Sequence, residues 1–161
     1  MAHTSEKLDY TVTAFIVFKN KVLLIYNKRY HKWFPPGGHI DKDEDLENAL
    51  YREIEEETGY KKNDLKIVDF RNSLPNEDLF SDMKGRSIIT PTFTDTHEAS
   101  IGHIHYGFRY FFKTRKNIKL TSHDDYVIKH KWFSREDLKN SEFNLRKHVV
   151  WYATFALSHI K

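Results

Sequence analysis

The feature that most constrains this chain is a predicted amphipathic helix whose inward face changes from apolar to acidic along its length. The helix spans residues 45–58, with Asp43 as the expected N-cap and Gly59 as the C-terminal stop. At about 100° per residue, its apolar side chains form one stripe that should pack against a sheet. The stripe consists of Leu46, Ala49, Leu50 and Ile54.

Several glutamates lie on the same inward face. On the helical wheel, Glu53 and Glu57 fall inside the apolar stripe and Glu56 lies at its edge. An ordinary solvated acidic face explains Glu47 and Glu55, which point away, but it does not explain carboxylates aligned with leucines. Burying carboxylates together is costly unless positive charge compensates them. A hard divalent cation with oxygen ligands, such as Mg²⁺, would supply that charge.

The rest of the chain alternates predicted strands with helices. Runs rich in β-branched and aromatic residues predict strands at 10–18, 22–26, 65–70, 88–93, 101–113 and 127–133. Ser134 and Asp137 form a weak capping box, and apolar residues at helical spacing predict a C-terminal helix over 145–160. The proline–glycine segment 33–38 and the polar segment 72–85 are expected to be a turn and a loop. This interleaving favours one α/β layered domain.

Composition narrows the possible partners and compartments. A net charge of +3 over 161 residues does not favour a nucleic-acid-binding protein. The absence of cysteine excludes disulfides, thiolate nucleophiles and cysteine-bound zinc. With no apolar signal segment or membrane-length run, we expect a cytoplasmic protein without membrane contact. A homodimer is left open.

The acidic helix carries a family motif. After Gly38, Glu44 follows at the sixth position, and seven further residues lead to the run Arg52-Glu53-Ile54-Glu55-Glu56-Glu57-Thr58-Gly59-Tyr60. This resembles the Nudix box, G-x5-E-x7-R-E-U-x-E-E-x-G-U with U apolar, at every fixed position. Tyr60 is a mild departure from the usual aliphatic residue. Average residue usage gives such a match a chance on the order of 10⁻⁹ per starting position.

The resemblance implies a role for each box residue. Glu53, Glu56 and Glu57 resemble the family's metal-binding acids, and Glu53 or a neighbour would activate the attacking water. Arg52 resembles the residue that orients these acids by ion pairing. The backbone carbonyl of Gly38 would meet the metal, which is expected to be Mg²⁺ or Mn²⁺.

The resemblance also implies a fold and a reaction. The expected fold is a Nudix-type α/β/α sandwich with a mixed β-sheet, covering residues 1–161 as a single Nudix hydrolase domain. The expected reaction is attack of water on one phosphorus of a diphosphate linked to a nucleoside or a similar group. Glu44 resembles the family's first glutamate, whose role is partly structural.

Polar side chains on one side of the strand 101–113 indicate a second candidate functional site. Alternation places His103, His105 and Arg109 on one side of the strand. This side of the strand either faces solvent or binds a substrate phosphate. Arg109 would suit the second role, because an arginine can bind phosphate in a bidentate manner. The third alternative is a zinc site in which Asp95 or His97 joins the two histidines.

Two smaller signals concern substrate contacts. Trp33 and Phe34 precede the glycine loop, and we expect Trp33 to stack on a base and Phe34 to pack in the core. The tripeptide 123–125, His-Asp-Asp, is either a polar turn or the source of an extra acid that serves as catalytic base.

The substrate is expected to be a small nucleotide, either a nucleoside triphosphate or an ADP-ribose-like compound. Pro75 lies 15 residues beyond Tyr60, a spacing that resembles the ADP-ribose-cleaving branch of the family. The alternative function is a non-catalytic nucleotide-sensing or RNA-associated Nudix domain. Such domains commonly lose glutamates of the box, so the intact acids favour an enzyme.

Overall fold

A mixed β-sheet carries helices on both of its faces. A computed structural model describes residues 7–68 and 88–161 of the protein. The strands in those ranges are β1 (Leu8–Phe18), β2 (Lys21–Asn27), β3 (Lys32–Phe34), β4 (Gly37–His39), β5 (Leu65–Ile67), β6 (Phe93–Ser100), β7 (His103–Thr114) and β8 (Val127–Phe133). The α-helices are α1 (Leu46–Thr58), α2 (Arg135–Lys139) and α3 (Lys147–His159), and short 3₁₀ helices cover Lys62–Asp64 and Ser141–Phe143. Among the helices of the described ranges, none is both long and apolar enough to cross a membrane.

The central strands β1 and β7 run parallel, and the remaining strand pairs are antiparallel. The β1–β7 pairing extends from Leu8 opposite Ile104 to Val17 opposite Lys113. β1 also pairs with β2 and, near its start, with β4, while β2 pairs with β3 and β8, and β7 pairs with β5 and β6. The predicted α/β sandwich with a mixed sheet is therefore confirmed.

Each face of the sheet buries its own apolar cluster, so β1 is buried on both sides. On one face, Leu50 and Ile54 of α1 cover Val12, Ala14 and Ile16 of the strand. On the other face, the apolar side of α3 covers Phe15 and Val17, which alternate with them along β1, and Phe111 of the neighbouring β7. Alternation along a strand thus sends successive side chains toward α1 and α3 in turn. This division also places the functional side chains.

The boundaries of α1 correct one prediction and confirm another. The N-cap is Asp45, whose Oδ1 accepts from the backbone N–H groups of Glu47 and Asn48 at 2.9 Å each. Asp43 was the wrong choice: its φ of 66° is left-handed, whereas a cap needs the extended backbone seen at Asp45. Gly59 ends the helix as predicted, with φ of 79°.

Other predictions failed where tertiary pairing defines a strand. The predicted strand 88–93 begins only at Phe93 and continues as β6 through polar residues to Ser100, since one side of β6 is solvent-exposed. β3 and β4 were predicted as part of a turn, because short and glycine-rich segments carry no local strand signal. The capping box of Ser134 and Asp137 and the C-terminal helix are confirmed. The loop 72–85, with Pro75, lies outside the described residues.

The N-cap assignment gives a direct stability test. Replacing Asp45 by Ala removes two hydrogen bonds to the first turn of α1, so we expect the free energy of unfolding to fall by about 1 kcal/mol. Asp43→Asn is the matched control, since asparagine tolerates the left-handed backbone, and it should change stability by less than about 0.5 kcal/mol. Urea denaturation measures both, and a larger loss at position 43 would overturn the assignment.

Candidate active site

The guanidinium of Arg52 organises the acidic end of α1. Its Nε and Nη2 donate to the two carboxylate oxygens of Glu44 at 2.9 and 2.8 Å. Its Nη1 donates to Glu53 at 2.8 Å and to Glu56 at 3.3 Å. Nη2 also donates to the backbone oxygen of His39 at 2.9 Å. Hydrogen bonds to these carboxylates raise the pKa of Arg52 and lower that of Glu44, so both groups stay ionised.

Three glutamates of α1 are buried. Glu47, which we expected to face solvent, is 8% exposed and forms an ion pair with Lys62 at 2.9 Å. The other two are almost excluded from solvent. Glu53 is 2% exposed and Glu57 is 1% exposed. The carboxylate of Glu57 accepts from the backbone N–H of Gly37 at 2.8 Å. A Cβ added to Gly38 would lie only 2.3 to 2.6 Å from the carboxylate atoms of Glu53. Only glycine allows the backbone of β4 to lie this close to Glu53.

Burial raises the pKa of both glutamates. It raises the pKa of Glu53 to about 7, against the opposing effect of Arg52. Burial likewise raises the pKa of Glu57 well above its usual range, although the Gly37 N–H favours the ionised form. The charges of Glu56 and Asp124 raise both pKa values further. A bound divalent cation would reverse this balance by stabilising the ionised carboxylates.

The loop after β7 brings Asp124 toward these glutamates. The backbone N–H of His123 donates to the Glu56 carbonyl at 2.6 Å, and that of Thr121 donates to the Thr58 carbonyl at 3.1 Å. These bonds cap the C-terminal end of α1 with the loop. The tripeptide 123–125 therefore contributes a carboxylate close enough to act on the charges of Glu53 and Glu57.

A cavity of about 190 Å³ opens beside the glycines of β4. Glu57, Gly37 and Gly38 lie at its acidic end. Aromatic and basic side chains line much of the remainder, among them Tyr30, Phe34, His105, Arg109, Arg146 and His148. The cavity thus places the carboxylate of Glu57 opposite basic and aromatic side chains. Sequence reasoning missed Tyr30, Arg146 and His148, because no local pattern places them near the acidic helix.

Trp33 and Phe34, the two aromatic residues before the glycine loop, occupy each other's expected environments. Trp33 packs its ring edge-on against Phe133 and Tyr26, at centroid distances of 5.1 and 5.3 Å. Phe34 lines the cavity instead, with the guanidinium of Arg146 5.5 Å from its ring centre. Adjacent strand residues point to opposite faces, so only one of the pair faces the cavity.

Arg109 faces the cavity while its guanidinium bonds to the protein. Nε and Nη2 donate to the two oxygens of Asp95 at 2.9 and 2.7 Å, and Nη1 donates to Thr13 at 2.6 Å. The hydroxyl of Tyr152 donates to Asp95 at 2.7 Å. A Cβ at Gly107 would lie 2.2 Å from Nη2, so glycine leaves the space that the guanidinium fills. This network fixes a positive group in the cavity wall.

The histidines of β7 meet different partners from those expected. The group that brings ligand atoms together contains Asp9, His39, His103 and His105, rather than Asp95 or His97. Burial, together with neighbouring histidines, lowers the pKa of His105 to about 4. Asp9 lies directly opposite His105 in the β1–β7 pairing, although 96 positions separate them in sequence. Only the sheet register brings these residues together.

Comparison with known proteins agrees with this geometry. The family model described as NUDIX domain matches residues 7–155. This chain belongs to the Nudix hydrolase family. A crystal structure of a NUDIX-family hydrolase from Clostridium perfringens is 31% identical, with a TM-score of 0.80 over 95% of this chain and 98% of that one. The similarity to this Nudix structure covers nearly the whole length of both chains.

Curated Nudix relatives match over shorter segments. The RNA pyrophosphohydrolase of Vibrio atlanticus is 44% identical over 55 residues, which is 33% of this chain and 32% of that protein. The asymmetrical bis(5'-nucleosyl)-tetraphosphatase of Mus musculus is 40% identical over 74 residues, 45% of this chain and 46% of that protein. In both cases the match covers less than half of the relative.

The raised pKa values predict how stability depends on pH without metal. An acid with a raised folded pKa destabilises the fold increasingly as pH rises from its unfolded value of about 4.5 through the folded value, about 7 for Glu53. Glu57→Gln removes one charge and keeps an oxygen for the Gly37 N–H. In EDTA at about pH 8, we expect this variant to be as stable as the wild type or more so.

Urea denaturation at about pH 5.5 and pH 8 measures the effect. Glu55→Gln is the matched control, because Glu55 on the same helix is exposed and its replacement should not reproduce the pH-dependent gain. Millimolar Mg²⁺ should stabilise the wild type more than Glu57→Gln. A variant that is much less stable at pH 8 and is stabilised equally by Mg²⁺ would contradict the assignment.

Proposed function

We propose that this Nudix domain is a Mg²⁺-dependent hydrolase that cleaves the diphosphate bond of a small nucleotide. One observation carries the proposal: the buried carboxylate of Glu57, one helical turn after the buried Glu53, lines a cavity whose other walls include basic and aromatic side chains. Such a cavity matches a substrate with phosphates at one end and an aromatic group at the other. Of the two curated relatives described above, one is named an RNA pyrophosphohydrolase and the other a bis(5'-nucleosyl)-tetraphosphatase, and both names denote cleavage of phosphate anhydrides.

The acidic residues fit a hard divalent cation. Glu53, Glu56 and Glu57 offer carboxylate oxygens, and the backbone of Gly38 lies against Glu53. Oxygen donors are those that Mg²⁺ and Mn²⁺ prefer in proteins. When bound, the cation neutralises the carboxylates and polarises a phosphoryl oxygen.

The protein's own groups then divide the work of proton transfer and positioning. We assign to Glu53 the role of accepting the proton of the attacking water, because its carboxylate would be ionised beside the cation and is fixed in position by Arg52. Arg52 fixes Glu53 through Oε1, so the second oxygen keeps a defined direction. Glu56 is held more weakly by the same guanidinium, which leaves its carboxylate able to adjust to a ligand.

The basic and aromatic wall is assigned to the rest of the substrate. Arg146, exposed at the cavity rim, is the cationic group that we assign to a substrate phosphate. Arg109 fixes positive charge in the cavity wall, which His105 also lines. Phe34 takes the stacking role expected for Trp33, because its ring faces the cavity. A nucleoside triphosphate and an ADP-ribose-like compound both carry these two chemical features.

A substrate panel with variants tests the proposed hydrolase. Nucleoside triphosphates, dinucleoside polyphosphates and ADP-ribose are incubated with Mg²⁺, and nucleotide and phosphate products are quantified. On the best substrate, Glu53→Gln should lower kcat by about 10²- to 10⁴-fold, the usual contribution of a general base. Glu56→Gln and Glu57→Gln should also lose most of their turnover, whereas the exposed control Glu55→Gln should retain it.

Far-UV circular dichroism checks that each variant is folded. Near-wild-type turnover in Glu56→Gln and Glu57→Gln with saturating Mg²⁺ would contradict the metal-binding assignment. Tight nucleotide binding by the wild type with no product from any substrate would instead indicate a nucleotide-sensing domain.

Arg146 gives a separate test of the substrate wall. Arg146→Gln should raise KM by about 10- to 100-fold, because a charge-assisted hydrogen bond contributes about 1.5–3 kcal/mol. Lys147→Gln is the matched control, since the neighbouring lysine does not line this cavity. Steady-state kinetics on the best panel substrate compares the two. Equal effects of both substitutions would remove Arg146 from the site.

A further inference from the structure

Three histidines and an aspartate form a second cluster of ionisable side chains, and two of them, His39 and His105, line the same cavity as Glu57. Asp9 belongs to β1, His39 to β4, and His103 and His105 to β7. One ligand atom from each residue lies within 4.8 Å of all the others. Three strands thus contribute to one convergent group of metal-ligating side chains.

Three distances in this cluster are close to those of a tetrahedral zinc site. Zinc ligands lie about 2.0–2.1 Å from the ion, which places neighbouring ligand atoms of a tetrahedron about 3.3–3.4 Å apart. Nε2 of His39 lies 3.3 Å from Nε2 of His105 and 3.4 Å from Oδ2 of Asp9. Nε2 of His103 lies 3.2 Å from the same aspartate oxygen. These three contacts therefore match three edges of such a tetrahedron.

The identity of the converging atoms also favours a metal. All three histidines direct the same ring atom, Nε2, toward the common centre. Each Nε2 carries either one hydrogen or one lone pair. The Nε2 of His39 can therefore donate at most one hydrogen bond, although both the Nε2 of His105 and the carboxylate of Asp9 lie close to it. A metal ion accepts a lone pair from every ligand, which satisfies all four atoms at once.

Burial adds an energetic reason. Asp9 is fully buried, His39 is 9% exposed and His103 is 6% exposed. A carboxylate removed from water is costly unless it is paired or bound to a metal. A divalent cation held by neutral imidazoles would balance the charge of Asp9.

We propose that Asp9, His39, His103 and His105 form a zinc site, distinct from the glutamate cluster of α1. Three imidazole nitrogens and one carboxylate oxygen suit Zn²⁺, whereas the all-oxygen glutamate cluster suits Mg²⁺. Four protein ligands complete a tetrahedron, which is typical of structural zinc. The ion would tie β4 to β1 and β7, and this part of the inference does not depend on the proposed hydrolase activity.

Zinc retention by the full-length, untagged chain tests the proposal. Protein treated with EDTA is mixed with equimolar Zn²⁺ in millimolar Mg²⁺, which occupies the glutamates, and is then desalted. We expect elemental analysis to find about one zinc ion per chain, and the thermal midpoint to rise with zinc. Co²⁺ in its place should give the intense visible absorption of tetrahedral coordination. No retained zinc, or a weak octahedral Co²⁺ spectrum, would overturn the proposal.

Variants locate the bound ion. His103→Gln and His105→Gln should each weaken zinc binding by more than about 100-fold, since losing even a group behind a ligand costs about 10- to 100-fold. His97→Gln is the matched control: its ring contacts His105, but it lies outside the cluster, so it should bind zinc like the wild type. If His103→Gln fails to fold, the half-buried His105 gives the decisive variant. Zinc lost from Glu56→Gln but retained by both histidine variants would place the ion at the glutamates and overturn the proposal.

Discussion

The pairing of one guanidinium with the carboxylates around α1 is the interaction on which the acidic site depends. Arg52 contacts Glu44, Glu53 and Glu56 and the backbone of His39, so it joins the helix, the segment before it and β4. Without this cation, carboxylates on an apolar helix face would bear the full cost of leaving water. Arg52 carries one positive charge but contacts three carboxyl groups. The negative charge that remains favours binding of a divalent cation.

The glycines of β4 contribute to the acidic site because they have no side chains. Gly38 lies so close to Glu53 that any side chain would displace the carboxylate. Gly37 donates to Glu57 and adopts a φ of 151°, a conformation that other residues rarely adopt. The carboxylates are therefore held from the helix side by Arg52 and from the strand side by backbone. Shape and charge act together here, and neither alone accounts for the buried acids.

The sequence predicted those parts of the molecule that depend on local spacing. The inward placement of Glu53 and Glu57 follows from the helical period, and the structure buries both of them. The N-cap was misplaced by two residues because Asp43 and Asp45 are chemically equivalent and differ only in backbone conformation. The cluster around Asp9 could not be predicted, since its members meet only through the register of distant strands. A local sequence pattern carries no information about which distant strands pair with each other.

The three residues of β4 stand between two chemically different groups of side chains. The missing side chain of Gly38 faces Glu53, and the next residue, His39, sends its ring to Asp9 on the opposite face. Backbone hydrogen bonds from Ala14 to Pro36 and from Ile40 to Tyr10 hold both ends of the segment. Inserting or deleting a single residue here would exchange the two faces, presenting an imidazole to the carboxylates and a glycine to the histidines. The length of this segment therefore matters to both groups of side chains as much as its chemistry does.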